Sequence, residues 1–238
     1  MTDNLIIEYN LAECIFLLDA NEKKLSGWDK FLVSSLNSLD VSSNREEVQR
    51  YPLTGLYNET DEEVIYSYCV DKLIKNQVLH FHSSFIIYKS QAVLFTGPSG
   101  IGKTTQAELW EKYRKALIVN GDVSLIRKRE GKYRAYGCPL HGSSPYCENM
   151  DAPLLAIIVL EQAAKNKFSR LKPYDAVCAC VPEIYRPPNM DFEMEEILWK
   201  SINDLLSEIP VYKLCCRPDE DAVQLVEQAL FKQEIIWS

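Results

Sequence analysis

The stretch Ala92-Val93-Leu94-Phe95-Thr96-Gly97-Pro98-Ser99-Gly100-Ile101-Gly102-Lys103-Thr104-Thr105 decides the fold. An apolar run of strand-forming residues feeds directly into G-x-x-x-x-G-K-[ST], the pattern of a phosphate-binding loop. In such a loop the glycines let backbone N–H groups converge on phosphate oxygens at the start of a helix. Gly97, Ser99, Gly100, Ile101, Gly102 and Thr105 therefore form the expected cradle. Lys103 is expected to reach the terminal phosphates, and Thr104 to offer its hydroxyl to Mg²⁺. The ligand implied is ATP or a related polyphosphate with Mg²⁺.

Upstream of the loop, His80-Phe81-His82-Ser83-Ser84-Phe85-Ile86-Ile87-Tyr88 is rich in β-formers, and only Lys89-Ser90-Gln91 separates it from Ala92. So short a turn cannot hold the crossover that parallel neighbours need, so the two strands are expected to pair as an antiparallel hairpin. Downstream, the amphipathic pattern from Thr105 to Ala116 predicts a helix, and Leu117-Ile118-Val119 a strand ending at Asn120-Gly121-Asp122. A second hairpin is expected over residues 123–136, turning at Glu130-Gly131. Pro153 to Leu160 reads as a central strand buried on both faces. A helix over residues 193–209, a strand from Val211 to Cys216 and a last helix opened by Pro218 complete this half.

The first part of the chain is less distinct. Leu5-Ile6-Ile7 and Cys14 to Leu18 read as strands, Ser34 to Asn44 and residues 45–60 as loop and exposed connection, and Asp61 to Ile74 as a short helix. The expected organisation is one domain over residues 1–238, with a β-rich portion (1–75) and a nucleotide-binding core (76–238). Its class is α/β with a mixed, partly antiparallel sheet around the phosphate loop.

Charge and composition exclude several functions. A formal net charge of −8, without a basic cluster interleaved with aromatics, argues against a nucleic-acid partner. No apolar run is long enough to span a membrane and the first residues do not resemble a signal peptide, so a soluble cytoplasmic protein is expected. The eight cysteines contain no Cys-x-x-Cys unit and are read as reduced, mostly buried small hydrophobes.

Four residues are candidates for chemistry beyond the loop. Asp122 ends a strand about twenty residues after the loop, where a carboxylate meets Mg²⁺ or the proton of a nucleophile. His82 faces the loop if the first hairpin is tight, and His141 lies in the Gly- and Ser-rich segment Gly137 to Ser144. Arg134, the arginine nearest that segment, is the candidate cation for a transferring phosphoryl group. His80 is assigned no role.

These residues together resemble the catalytic domain of the HPr kinase family, including its smaller relatives found with peptide-maturation genes, which shares a fold with ATP-dependent phosphoenolpyruvate carboxykinase. The resemblance rests on His82 before the loop, Gly97 to Thr104, Asn120-Gly121-Asp122, and Gly137-Cys138-Pro139-Leu140-His141-Gly142 followed by Ala152-Pro153-Leu154 and Leu160-Glu161-Gln162. It implies ATP-dependent transfer of a phosphoryl group to a serine or similar hydroxyl of a peptide, protein or small molecule, with Asp122 as base. The family has adjacent aspartates where this chain has Gly121-Asp122. A nucleotide-binding regulatory module without transferase activity is the alternative that this difference keeps open. The partners expected are the hydroxyl acceptor and, as an open possibility, a second copy of the chain.

Overall fold

The computed structural model of the protein describes residues 5–20, 28–37, 48–49 and 61–232. At the N-terminal end Leu5–Leu11 (β1) and Cys14–Ala20 (β2) pair antiparallel, Leu32–Asn37 (β3) lies on the other edge of β1, and Val48–Gln49 (β4) pairs parallel with β2. The helix Asp61–Lys75 (α1) follows. Of the two stretches expected to be loop and connection, residues 34–37 belong to β3 and residues 48–49 to β4, and the remainder lies outside the described residues.

Leu79–Tyr88 (β5) and Gln91–Thr96 (β6) form the expected antiparallel hairpin, closed by Lys89 and Ser90 with φ of 48° and 60°. Two positive φ values at a two-residue turn match the right-handed twist of paired strands. The helix Lys103–Arg114 (α2) starts two residues earlier than its periodicity predicts, because Gly102, at φ 110°, turns the chain into the helix directly from the loop. Leu117–Asn120 (β7) then pairs with β5, and Val123–Arg129 (β8) and Lys132–Tyr136 (β9) form the second hairpin across Glu130-Gly131.

Asp151–Gln162 (β10) is central: it pairs in parallel with β6 on one side and with Val211–Cys216 (β12) on the other. Lys167–Arg170 (β11) adds an antiparallel edge to β12. The resulting sheet runs β11-β12-β10-β6-β5-β8-β9, with β7 also on β5 and β9 touching the start of β10. It is a mixed α/β fold.

The apolar runs are explained by two cores. Along β6, Ala92 and Leu94 face one hydrophobic cluster with Phe81, Phe85, Trp28 and Phe31, while Val93 and Phe95 face a second with Trp110, Val223 and Val226. On β10, Ile157 joins the first cluster and Ile158 the second. Each such fully buried side chain contributes about 1.5–3 kcal/mol, so a strand buried on both faces reads as unbroken apolar sequence.

Pro173–Cys180 (α3), a 3₁₀ turn Val181–Glu183, Phe192–Glu208 (α4) and Glu220–Phe231 (α5) complete the described fold. The last helix opens not at Pro218 but after Asp219, whose side chain accepts from the Ala222 N–H as an N-cap. Asp191 caps α4 in the same way through Met194 N–H. All eight cysteines are free thiols. No described helix is long and apolar enough to cross a membrane.

Candidate active site

The carboxyl ends of the parallel strands β6, β10 and β12 lie side by side, the place where open α/β sheets gather ligands. The loop Gly97–Gly102 rises from the end of β6 and its helix carries Lys103 at the first position. Lys103 is 6% exposed and folds back so that Nζ donates to the Gly97 carbonyl at 3.0 Å. Burial lowers its pKa, while the carboxylates of Glu183 and Asp122 act in the opposite sense. A Cβ built at Gly100 or Gly102 would meet no atom within 4 Å, so open space lies beside the loop at both positions.

The hairpin register places His82 next to the loop. Ser83 pairs with Thr96, and the Thr96 hydroxyl donates to the His82 carbonyl at 2.9 Å, so His82 stands level with Gly97. On the far side of β5, His82 pairs with Val123, and the Ser83 N–H donates to the Asp122 carbonyl at 2.9 Å. Asp122 is thereby brought against the imidazole: His82 Nε2 lies 3.0 Å from Asp122 Oδ1. Thr104 reaches the same turn from the helix side, its hydroxyl donating to the Gly121 carbonyl at 3.0 Å.

A buried asparagine fixes this turn. Asn120 Oδ1 accepts from the N–H groups of Asp122 and Val123, and its Nδ2 donates to the carbonyls of Cys138 and Leu140. The same side chain thus ties the end of β7 to the loop that carries His141. No side-chain signal in the sequence singled Asn120 out beyond its place before Gly121-Asp122.

The loop arrives at the site, but through its backbone. A Cβ at Gly142 would lie 2.7 Å from Asp122 Oδ2, and one at Gly121 would overlap the Ser144 hydroxyl. The His141 ring pairs its Nδ1 with the Ser144 carbonyl. Arg134 is not brought to the cluster: its Nε donates to Asp151 at 2.6 Å, and it lines a separate charged depression with Glu13, Arg129 and Lys132.

Two residues at the cluster were not among the candidates. Glu183, from the 3₁₀ turn after α3, places Oε2 2.8 Å from His82 Nδ1. Arg186 lines a cavity together with His82, Asp122 and Glu183 and holds its guanidinium over the Trp199 ring, 5.8 Å from the centroid. With both ring nitrogens against carboxylates, His82 donates from both only as an imidazolium. Accordingly the Asp122 hydrogen bond, reinforced by Glu183, raises the His82 pKa despite burial, and His82 lowers that of Asp122.

Cavities lie on either side of β6, the first lined in part by the loop and the second by β5 and the turn that carries Asp122. A cavity of about 620 Å³ is bounded by Gly100–Gly102, Gln106, Gln162, Ala163, Cys216 and Arg217. The second, of about 360 Å³, is lined by His82, Asp122, Glu183, Tyr185 and Arg186. No group of three or more metal-ligating side chains occurs among the described residues.

Comparison with known proteins adds little at the level of residues. No family model matches the chain. No curated protein matches it either. Among solved structures it is similar to the HPr(Ser) kinase/phosphatase from Coxiella burnetii, at 14% identity over 63% of this chain and 86% of that chain, with a TM-score of 0.35.

Proposed function

We propose that the chain is an ATP-dependent kinase that transfers the γ-phosphoryl group to a serine or similar hydroxyl of a peptide, protein or small molecule. The observation that carries this reading is the convergence of Lys103, Thr104 and Asp122, a helix start and a strand end, with one cavity lined by the loop and a second lined by Asp122. The open space beside Gly100 and Gly102, and a Lys103 amine held at the Gly97 carbonyl, fit a polyphosphate. The larger cavity is of a size to take a nucleoside.

Thr104 is the residue that would hold Mg²⁺, which when bound would neutralise phosphate charge; Asp122, the other residue expected at the metal, is taken here as the base. The acceptor enters from the His82 side. Asp122 Oδ1 is held by His82, and its Oδ2 takes the hydroxyl proton as the acceptor oxygen bonds to the γ-phosphorus and the bond to the ADP oxygen breaks. His82, already a double donor, orients Asp122 rather than acting as base. Arg186, rather than Arg134, is the arginine beside the acceptor cavity.

The test is transfer of ³²P from Mg-ATP to a panel of peptides, free serine and small alcohols, with Asp122→Asn and Lys103→Ala alongside. Product formation lost in Asp122→Asn with nucleotide binding retained is the expected result. Nucleotide binding without transfer in the unmodified protein, and no effect of Asp122→Asn on any behaviour, would make the chain a regulatory module instead.

A further inference from the structure

The segment after the 3₁₀ turn carries no motif, yet Ile184 and Tyr185 dock on β5. Ile184 bridges Phe81, the Tyr185 N–H donates to the His80 carbonyl at 3.0 Å, and the Ile184 side chain is 3% exposed in the core. Glu183 is therefore carried on backbone anchored immediately after it. Its side chain is only 10% exposed and turned inward to the His82 ring.

A carboxylate turned in from solvent in this way needs a charged or hydrogen-bonding partner to compensate its lost hydration. Its hydrogen-bond partner is His82 Nδ1 at 2.8 Å, on the ring edge opposite the nitrogen that faces Asp122. An imidazole held at one nitrogen can turn about its Cβ–Cγ bond; one held at both cannot. The arrangement Glu183–His82–Asp122 therefore transmits the rigidity of the 181–185 backbone to a carboxylate on a different strand.

We propose that Glu183 is a positioning residue of the transfer site, locking the His82 ring so that Asp122 keeps Oδ1 engaged and presents Oδ2 toward the acceptor cavity. This rests on Asp122 serving as proton acceptor, as proposed above. Ring orientation, not contact with either substrate, is its contribution. Misplacement of a reacting group by about 1 Å costs roughly 100-fold in rate, which sets the scale of the effect.

Glu183→Ala is expected to lower kcat about 10- to 100-fold with the KM for nucleotide unchanged. Glu183→Gln, whose amide oxygen can still accept from Nδ1–H at the same reach, is expected to recover most of that loss. Combining Glu183→Ala with Asp122→Asn should add no further loss, since both act through one group. Wild-type kcat in Glu183→Ala, beside an inactive Asp122→Asn, overturns the inference and leaves the kinase reading intact. If the unmodified protein transfers phosphate to no acceptor, the kinase reading fails, and ¹⁵N–¹H correlation spectra of the His82 ring still decide positioning. A loss of the hydrogen-bonded Nε2–H signal in Glu183→Ala, regained in Glu183→Gln, upholds it, and an unchanged Nε2–H signal in Glu183→Ala overturns it. A Glu183→Ala chain that does not fold shifts the decision to Glu183→Gln against Glu183→Leu, which keeps the bulk and removes the acceptor; equal kcat and equal spectra in these two overturn the inference.

Discussion

The two sides of β6 are built from different materials. Toward β10 and β12 the loop borders a roomy cavity with Leu160, Ala163, Ala164 and Pro218 in its wall and one full charge, Arg217. Toward β5 and β8 lies a smaller one in which His82, Asp122, Glu183 and Arg186 are all ionisable or charged. Apolar walls with few polar groups suit binding of a flat, weakly charged body; crowded charges suit proton and phosphoryl chemistry. Under the proposed kinase reading the contrast places affinity on one side and rate on the other, and each variant below strains that division.

The largest effect is expected from Asp122→Asn, which should cut kcat roughly 1,000-fold, in the range of lost general-base catalysis, while the nucleotide Kd from calorimetry stays near wild type. A parallel loss of nucleotide affinity would erase the division. Lys103→Ala removes a charged donor from the loop shared by both sides and should weaken nucleotide binding by about 10- to 100-fold. Ala163→Trp fills the larger cavity, and should raise the nucleotide KM about tenfold with kcat at saturation unchanged. A fall in kcat instead would mean that the larger cavity also governs the chemistry.

Smaller effects concern the support beneath the charged side. Asn120→Ala strips four hydrogen bonds from a fully buried site and should cost on the order of 3 kcal/mol of stability, read as a lower midpoint in urea. The smallest and most specific is a titration. His80, on the same strand as His82, accepts the Tyr66 hydroxyl at 2.8 Å, and burial lowers its pKa to about 4. Its folded pKa lies below the usual 6.5, so the unfolded chain binds the proton first, and stability should fall as pH drops from 6.5 toward 4. Histidine C–H signals in NMR should separate His80, titrating near 4, from His82, titrating above 6.5.

The sequence made the core of this site readable wherever it depended on local spacing. Strand, loop and helix follow one another from Ala92 to Arg114, and a three-residue interruption at Lys89-Ser90-Gln91 permits only a hairpin, which fixes His82 beside Gly97. Asp122 was legible for the same reason. What was not legible depends on which segments meet across the sheet. Glu183 lies 101 residues from His82 and reaches it because Ile184 and Tyr185, just after it, dock on β5, a contact without periodicity of its own. Arg134 lies away from the cluster because closeness in sequence to the Gly137 segment says nothing of direction: β9 sets its side chain against Asp151. The His141 loop was expected to approach a ligand; in the fold it is Gly142, by having no side chain, that comes close to Asp122.

The hairpin that leads into the loop joins neighbours in the chain, whereas the partner on the loop's other flank is distant: Phe85 pairs with Leu94, but Leu94 also pairs with Ile157. Local pairings form in microseconds, and pairings across some sixty residues come after a large loss of chain entropy. The loop is therefore half-shaped early and completed late. A ligand that grips both flanks would act on interactions absent from much of the folding pathway, so it should slow unfolding far more than it speeds folding.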